Sequence, residues 1–118
     1  MAHNVQNFEI HAGDDLEIPV TVTDDAGNAI NLSGASVKWQ ASRGTTEKFS
    51  KTAAITKATG SGIAITDAAN GVFDVTLDSA DTQSLRGSFY HEAEVTDDQG
   101  NKTTVLTGTL TIAPTLIV

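Results

Sequence analysis

The side chains with chemistry to offer in this sequence are three histidines, a surplus of carboxylates and one tryptophan. His3, His11 and His91 are widely separated, without the paired spacing of a zinc site. With no cysteine there is no thiolate ligand and no thiol nucleophile. No serine stands in Gly-x-Ser-x-Gly, and Gly60-Ser61-Gly62 lacks the Lys and helix of a phosphate-cradling loop. The pairs Asp14-Asp15, Asp24-Asp25 and Asp97-Asp98 invite two readings, calcium ligands or the acid pair of a glycosidase. Calcium needs oxygens converging from several loops, and the spacing is not the Asp-x-Asp-x-Asp-Gly run of an EF-hand. A glycosidase needs one acid of raised pKa facing its partner across a cleft, whereas these acids sit in turn contexts where carboxylates stay ionised. The residues therefore lead to a non-enzymatic protein without metal or cofactor.

The same acids have a plainer use. Thr23-Asp24-Asp25-Ala26-Gly27-Asn28, Thr66-Asp67-Ala68-Ala69-Asn70-Gly71 and Thr96-Asp97-Asp98-Gln99-Gly100-Asn101 repeat one turn chemistry, in which Asp opens through its side chain and Gly or Asn accepts the positive φ that closes. Each lies between alternating apolar stretches, and no long segment has helical spacing. The expected fold is an all-β, immunoglobulin-like antiparallel β-sandwich.

Leu16, Ile18, Val20 and Val22 alternate with Glu17, Pro19, Thr21 and Thr23 in the clearest strand, and Pro19, which has no N–H, puts it at a sheet edge or turns that position outward. Ile30 and Leu32 predict a short strand, and Val37, Trp39 and Ala41 a longer one. Trp39, between Lys38 and Gln40, is expected as the aromatic plug between two sheets; a sugar-stacking platform is the alternative. From Ala41 to Gly62 the periodicity fades, leaving a predicted strand near Lys48 to Thr52 and a mobile loop near Thr59 to Gly62. The basic residues here read as a solvated face with Lys guarding an edge, against a docking patch. Phe73, Val75 and Leu77 return from the second turn. Asp78 or Ser79 then caps one short helical crossover that brings Leu85 over the core. On the last two strands Phe89, His91, Ala93 and Val95 share one face. Leu106, Gly108, Leu110 and Ile112 oppose a threonine face that includes Val105. Gly108 marks a bulge or a close approach to a bulky neighbour such as Trp39.

The 118 residues make one domain, 1–118, with 1–6 and 114–118 expected to be flexible or bound by a partner. Leu116, Ile117 and Val118 are the candidate assembly contacts: either they add to a neighbouring strand, or another chain buries them. A net charge of −8 opposes binding to nucleic acid or anionic lipid. The first residues lack a secretory signal, and no apolar stretch reaches the ~20 residues that span a bilayer.

The order of motifs resembles a known family. Gly13-Asp14 precedes the first strand and the Asp24-to-Asn28 turn, followed by Asn31-Leu32-Ser33-Gly34-Ala35-Ser36-Val37-Lys38-Trp39. Gly71-Val72-Phe73-Asp74-Val75-Thr76-Leu77 comes next, with Asp81-Thr82 and Leu85, and then Gly87-Ser88-Phe89-Tyr90-His91-Glu92-Ala93-Glu94-Val95. Gly100 and Gly108-Thr109-Leu110-Thr111-Ile112 close the series. From Phe8 to Ile112 this is similar to the immunoglobulin-like domain at the N-terminus of tailed-phage baseplate upper proteins and related small phage structural proteins. The resemblance implies a virion component made in the host cytoplasm, with other virion proteins and further copies of itself as partners. The family domain is often joined to a longer receptor-binding or scaffold segment, while this sequence stops at Val118, so a complete small virion protein and an excised module both stay open. The alternative function is a carbohydrate-binding or adhesive module of a bacterial surface, which predicts exposed aromatics on one sheet.

Overall fold

A computed structural model describes residues 4–116. The fold is an all-β sandwich made from one curled sheet. Its strands are β1 (Asn4–Val5), β2 (Phe8–His11), β3 (Leu16–Thr21), β4 (Ser36–Arg43), β5 (Ile55–Thr59), β6 (Gly62–Asp67), β7 (Val72–Leu77), β8 (Gly87–Thr96) and β9 (Lys102–Ala113). They hydrogen-bond in the order β1-β9-β8-β4-β5-β6-β7-β3, with β2 also on β9. β5 and β6 share only Ala58↔Gly62 and Thr59↔Ile63, and there the sheet folds over. Strands on both sides of that corner contribute to a single core containing Ile18, Val20, Trp39, Phe73, Val75, Phe89, Leu106 and Leu110.

Trp39 is fully buried, as its alternating setting predicts. β3 ends the sheet, so Pro19 lies where a missing N–H costs no ladder bond. The crossover is the single helical turn α1 (Ser79–Thr82), whose first free N–H groups are taken by carboxylates: Asp78 N–H donates to Asp81 Oδ2 at 2.8 Å, and Ser79 N–H to Asp15 Oδ1 at 2.8 Å. Leu85 then packs on the core.

Several expectations need correction. The sheet is mixed, because β1 and β2 run parallel to β9 and β5 meets β6 in parallel register. Asn4 to Gln6 are therefore part of the fold, Gln6 N–H donating to Thr107 O at 3.0 Å. Ile30 and Leu32 form no strand; the first turn closes on a lone Thr23↔Ala29 bridge, and Leu32 N–H reaches Ala68 O at 2.8 Å. No strand runs from Lys48 to Thr52 either. Residues 44–54 double back on the end of β4, with Ser50 N–H on Arg43 O at 2.9 Å, and the strand comes later as β5. The expected loop at Thr59 to Gly62 is a tight corner whose Gly60 and Gly62 have φ of 83° and 96°. Thr59 Oγ1 ties this corner to β4 through Val37 N–H at 2.7 Å.

Val105 belongs to the core and not to the threonine face. Opposite Ala93 and Glu94, β9 carries one extra residue between Leu106 and Thr104, and this bulge turns both Val105 and Leu106 inward.

Candidate functional site

The acidic turns are built as their sequences predict. Asp24 Oδ1 accepts the N–H groups of Ala26 and Asn28, each at 2.9 Å, and Asp97 Oδ1 those of Gln99 and Asn101 at 2.9 and 2.8 Å. These backbone donors, Asn28 and Asn101 foremost, hold both carboxyls below the usual carboxylate range. A carboxylate committed to its own turn is a poor ligand for anything else. Among the described residues no three His, Asp or Glu side chains gather as metal ligands. Glu17 on β3 does meet Asp74 on β7: a hydrogen bond to Asp74, then that carboxylate's like charge, pushes Glu17 upward. Glu17 is exposed, outside any acid pair expected from the sequence.

His91 is buried in the core, where burial pushes its imidazole below the ordinary value. Trp39 Nε1–H donates to His91 Nδ1 at 3.1 Å, and His91 Nε2 lies 2.8 Å from Gln6 O. Since Nδ1 accepts, Nε2 must carry the proton and donate to the Gln6 carbonyl. That carbonyl crosses directly over Gly108, where a Cβ would collide with it and stand 2.8 Å from His91 Nε2. Turned inward, it no longer serves β9, and Asn7 Oδ1 accepts the Thr109 N–H instead at 2.9 Å. This exchange breaks the N-terminal strand into β1 and β2. The close approach expected at Gly108 is real, but its neighbours are Gln6 and His91, not Trp39.

Outside, Gln40, Ser42, Tyr90 and Glu92 share the solvent face of β4 and β8, where Ser42 pairs with Tyr90 and Gln40 with Glu92. With Phe49, Ser50, Lys51 and Ala53 they line a concavity of about 380 Å³. Phe49 stacks on Tyr90 with centroids 4.1 Å apart, Lys51 Nζ lies 4.8 Å from the Phe49 centroid, and Tyr90 OH donates to Glu92 Oε2 at 2.9 Å. Burial and that bond push the Tyr90 phenol up to about 12. Sequence periodicity placed Tyr90 outward but gave no sign that Phe49 would fold back onto it. The pair pins residues 44–54 to the sheet.

Of the predicted assembly contacts, Leu116 is 98% exposed, while Ile117 and Val118 lie outside the described residues. The other strongly exposed large apolar side chain among the described residues is Val5, at 64%, on β1. It lies on the β1–β2 edge, of which only the residues up to position 6 were expected to be flexible or bound by a partner. That edge ladders only with β9; no further strand pairs with its other side among the described residues, where Asn4 Nδ2 donates to Thr21 O of β3 at 2.9 Å and His11 O accepts the Asp14 N–H at 3.0 Å.

No protein-family model and no curated protein matches the chain. Among solved structures it is similar to a family 123 glycoside hydrolase from Clostridium perfringens, at 13% identity and a TM-score of 0.42. The match covers 95% of this chain and spans 23% of the hydrolase chain. It is also similar to AggA, the major subunit of aggregative adherence fimbriae type I from Escherichia coli, at 16% identity and a TM-score of 0.33, with 91% of this chain and 89% of that chain covered.

Proposed function

We propose that the protein is a non-enzymatic structural component of a phage virion, a tail or baseplate assembly module that joins neighbouring virion proteins and further copies of itself through the edges of its sheet. The observation that carries this reading is the β1–β2 edge, with which no further strand ladders among the described residues, and exposed Val5 upon it. A strand edge that no further strand covers offers backbone donors and acceptors to a partner strand. The motif order from Phe8 to Ile112 points to the same class of protein. The side chains with most chemical potential are already engaged: Asp24 and Asp97 in turns, His91 and Trp39 with each other, Tyr90 with Glu92. Inactivating the gene in the source phage and viewing the particles by electron microscopy tests the reading. Tails or baseplates that fail to form or lack a density support it; normal, infectious particles that never contained the chain refute it.

A second reading, saccharide binding, has the Phe49–Tyr90 pair beside Glu92 and Gln40 in its favour. The two rings cover one another, and Lys51 lies over Phe49, so ring edges and polar groups would have to supply the contact. Trp39, fully buried, takes no part in it. Glycan binding abolished by Phe49→Ala in a folded chain would establish this reading in place of the first.

A further inference from the structure

We propose that Asn70 is a site of spontaneous covalent modification, deamidation and isomerisation at the Asn70-Gly71 bond, and that Asp67 is the gate that sets its rate. The inference goes beyond the assembly reading and does not depend on it. Of Asn4, Asn7, Asn28, Asn31, Asn70 and Asn101, only Asn70 precedes a glycine. With no side chain on Gly71, nothing hinders the approach of its amide nitrogen to the Asn70 carboxamide carbon, and the two close a five-membered ring. Once the Gly71 N–H gives its proton to hydroxide, the nitrogen bonds to Asn70 Cγ, the Cγ–Nδ2 bond breaks, and Nδ2 takes a proton from water and leaves as ammonia. Water then opens the cyclic imide. Opening at Cγ leaves an aspartate at position 70, and opening at the main-chain carbonyl leaves an isoaspartate, whose main chain runs through Cγ.

The fold holds this bond shut. Asp67 Oδ2 accepts from Asn70 Nδ2 at 2.8 Å and Asp67 Oδ1 from the Asn70 N–H at 3.3 Å, so the carboxamide is drawn back along the chain. Gly71 is buried, and its N–H donates to Ala68 O at 3.2 Å across the 3₁₀ turn Ala68–Asn70. Attack requires these bonds to open locally. Asn70 itself is exposed, so water and hydroxide reach it once they do. The same bond stands at a joint. Gly71 O accepts the Val22 N–H and Ala68 O the Leu32 N–H, each at 2.8 Å, which seats the connection between β3 and β4 on this turn. A Cβ on Gly71 would stand 2.6 Å from Val22 O and 2.7 Å from Ile30 O, so Gly71 has little room to shift when isoaspartate adds a carbon to the main chain. Deamidation without isomerisation replaces the Asn70–Asp67 side-chain hydrogen bond by two neighbouring carboxylates.

Ageing the purified chain in mildly alkaline buffer tests the assignment, with peptide mass spectrometry locating the product and enzymatic methylation marking isoaspartate. The expected first product lies at position 70, formed slowly in the folded chain and faster in urea. Asp67→Ala should speed it at least about fivefold in the folded state, the rate equivalent of one lost hydrogen bond. Asp67→Ser, whose hydroxyl still accepts the Asn70 N–H but not the carboxamide, should fall between the two. The aged protein should lose hydrogen-exchange protection at Val22 and Leu32 before it does so on β8. First conversion at another asparagine, a rate no faster in urea, a folded Asp67→Ala chain that ages no faster, or full protection at Val22 and Leu32 after conversion would overturn the proposal. If Asp67→Ala does not fold, Asp67→Ser decides in its place, since it keeps the bond that caps the turn.

Discussion

Trp39 donates its indole N–H to His91 Nδ1 at 3.1 Å, and this contact fixes which nitrogen of the imidazole holds the proton. The protonated Nε2 then draws the Gln6 carbonyl inward, so a bond within the core positions the N-terminal strand on β9. Trp39→Phe should remove the donor and leave a buried acceptor unpaired, costing about 1–3 kcal/mol in urea unfolding. Loss of hydrogen-exchange protection at Gln6 and its neighbours should exceed the loss on β7.

Acid should act through the same imidazole. Burial lowers the His91 pKa from its unfolded value near 6.5, so the unfolded chain binds the extra proton first. Its contribution to stability is complete above pH 6.5 and is lost as pH falls through the folded-state value. The urea midpoint, followed from pH 8 to pH 5, should drop below pH 6.5, and His91→Phe should be flatter across that interval.

Gly108→Ala should be costly despite its small size. The new methyl enters the space of the Gln6 carbonyl and His91 Nε2, so β1 must lift or β9 must bend. Overpacking of this kind costs about 2–3 kcal/mol. Thermal unfolding checks the loss, and a spectroscopic probe at Val5 should report displacement of β1.

The single tyrosine makes a clean titration possible. Tyr90 should ionise near 12 in the folded protein, read by its ultraviolet absorbance. Glu92→Gln should bring the midpoint down toward 10 by removing the carboxylate acceptor and its charge.

Neighbouring acids in the third turn should differ. Asp97→Ala removes the acceptor for two backbone N–H groups and should lower the melting temperature more than Asp98→Ala, whose side chain is exposed. The Asp97 contribution should fade as pH falls below the ordinary carboxylate range, since the folded state holds this carboxyl ionised.

Much of the sandwich was legible because turn chemistry and period-two burial are local. Asp24, Asp97 and Pro19 each announce their own geometry, and Trp39 its depth. What escaped depends on partners distant in sequence. Gln6 is held by His91 and Thr107, Phe49 by Tyr90, and nothing in the short stretch Asn4-Val5-Gln6-Asn7 points to a parallel strand on β9. Val105 was misplaced because a one-residue bulge resets the alternation without a glycine or proline to mark it. The β1–β2 edge was missed because it exists only once the N-terminal strand has docked on β9.

The proposed working life inside a virion is tested most directly by quantitative mass spectrometry of particles purified from a phage that encodes the chain. It predicts the chain in fixed, multiple-copy ratio to tail or baseplate proteins, retained through salt washing. Particles free of the chain, while the lysate holds it in quantity, would contradict the account.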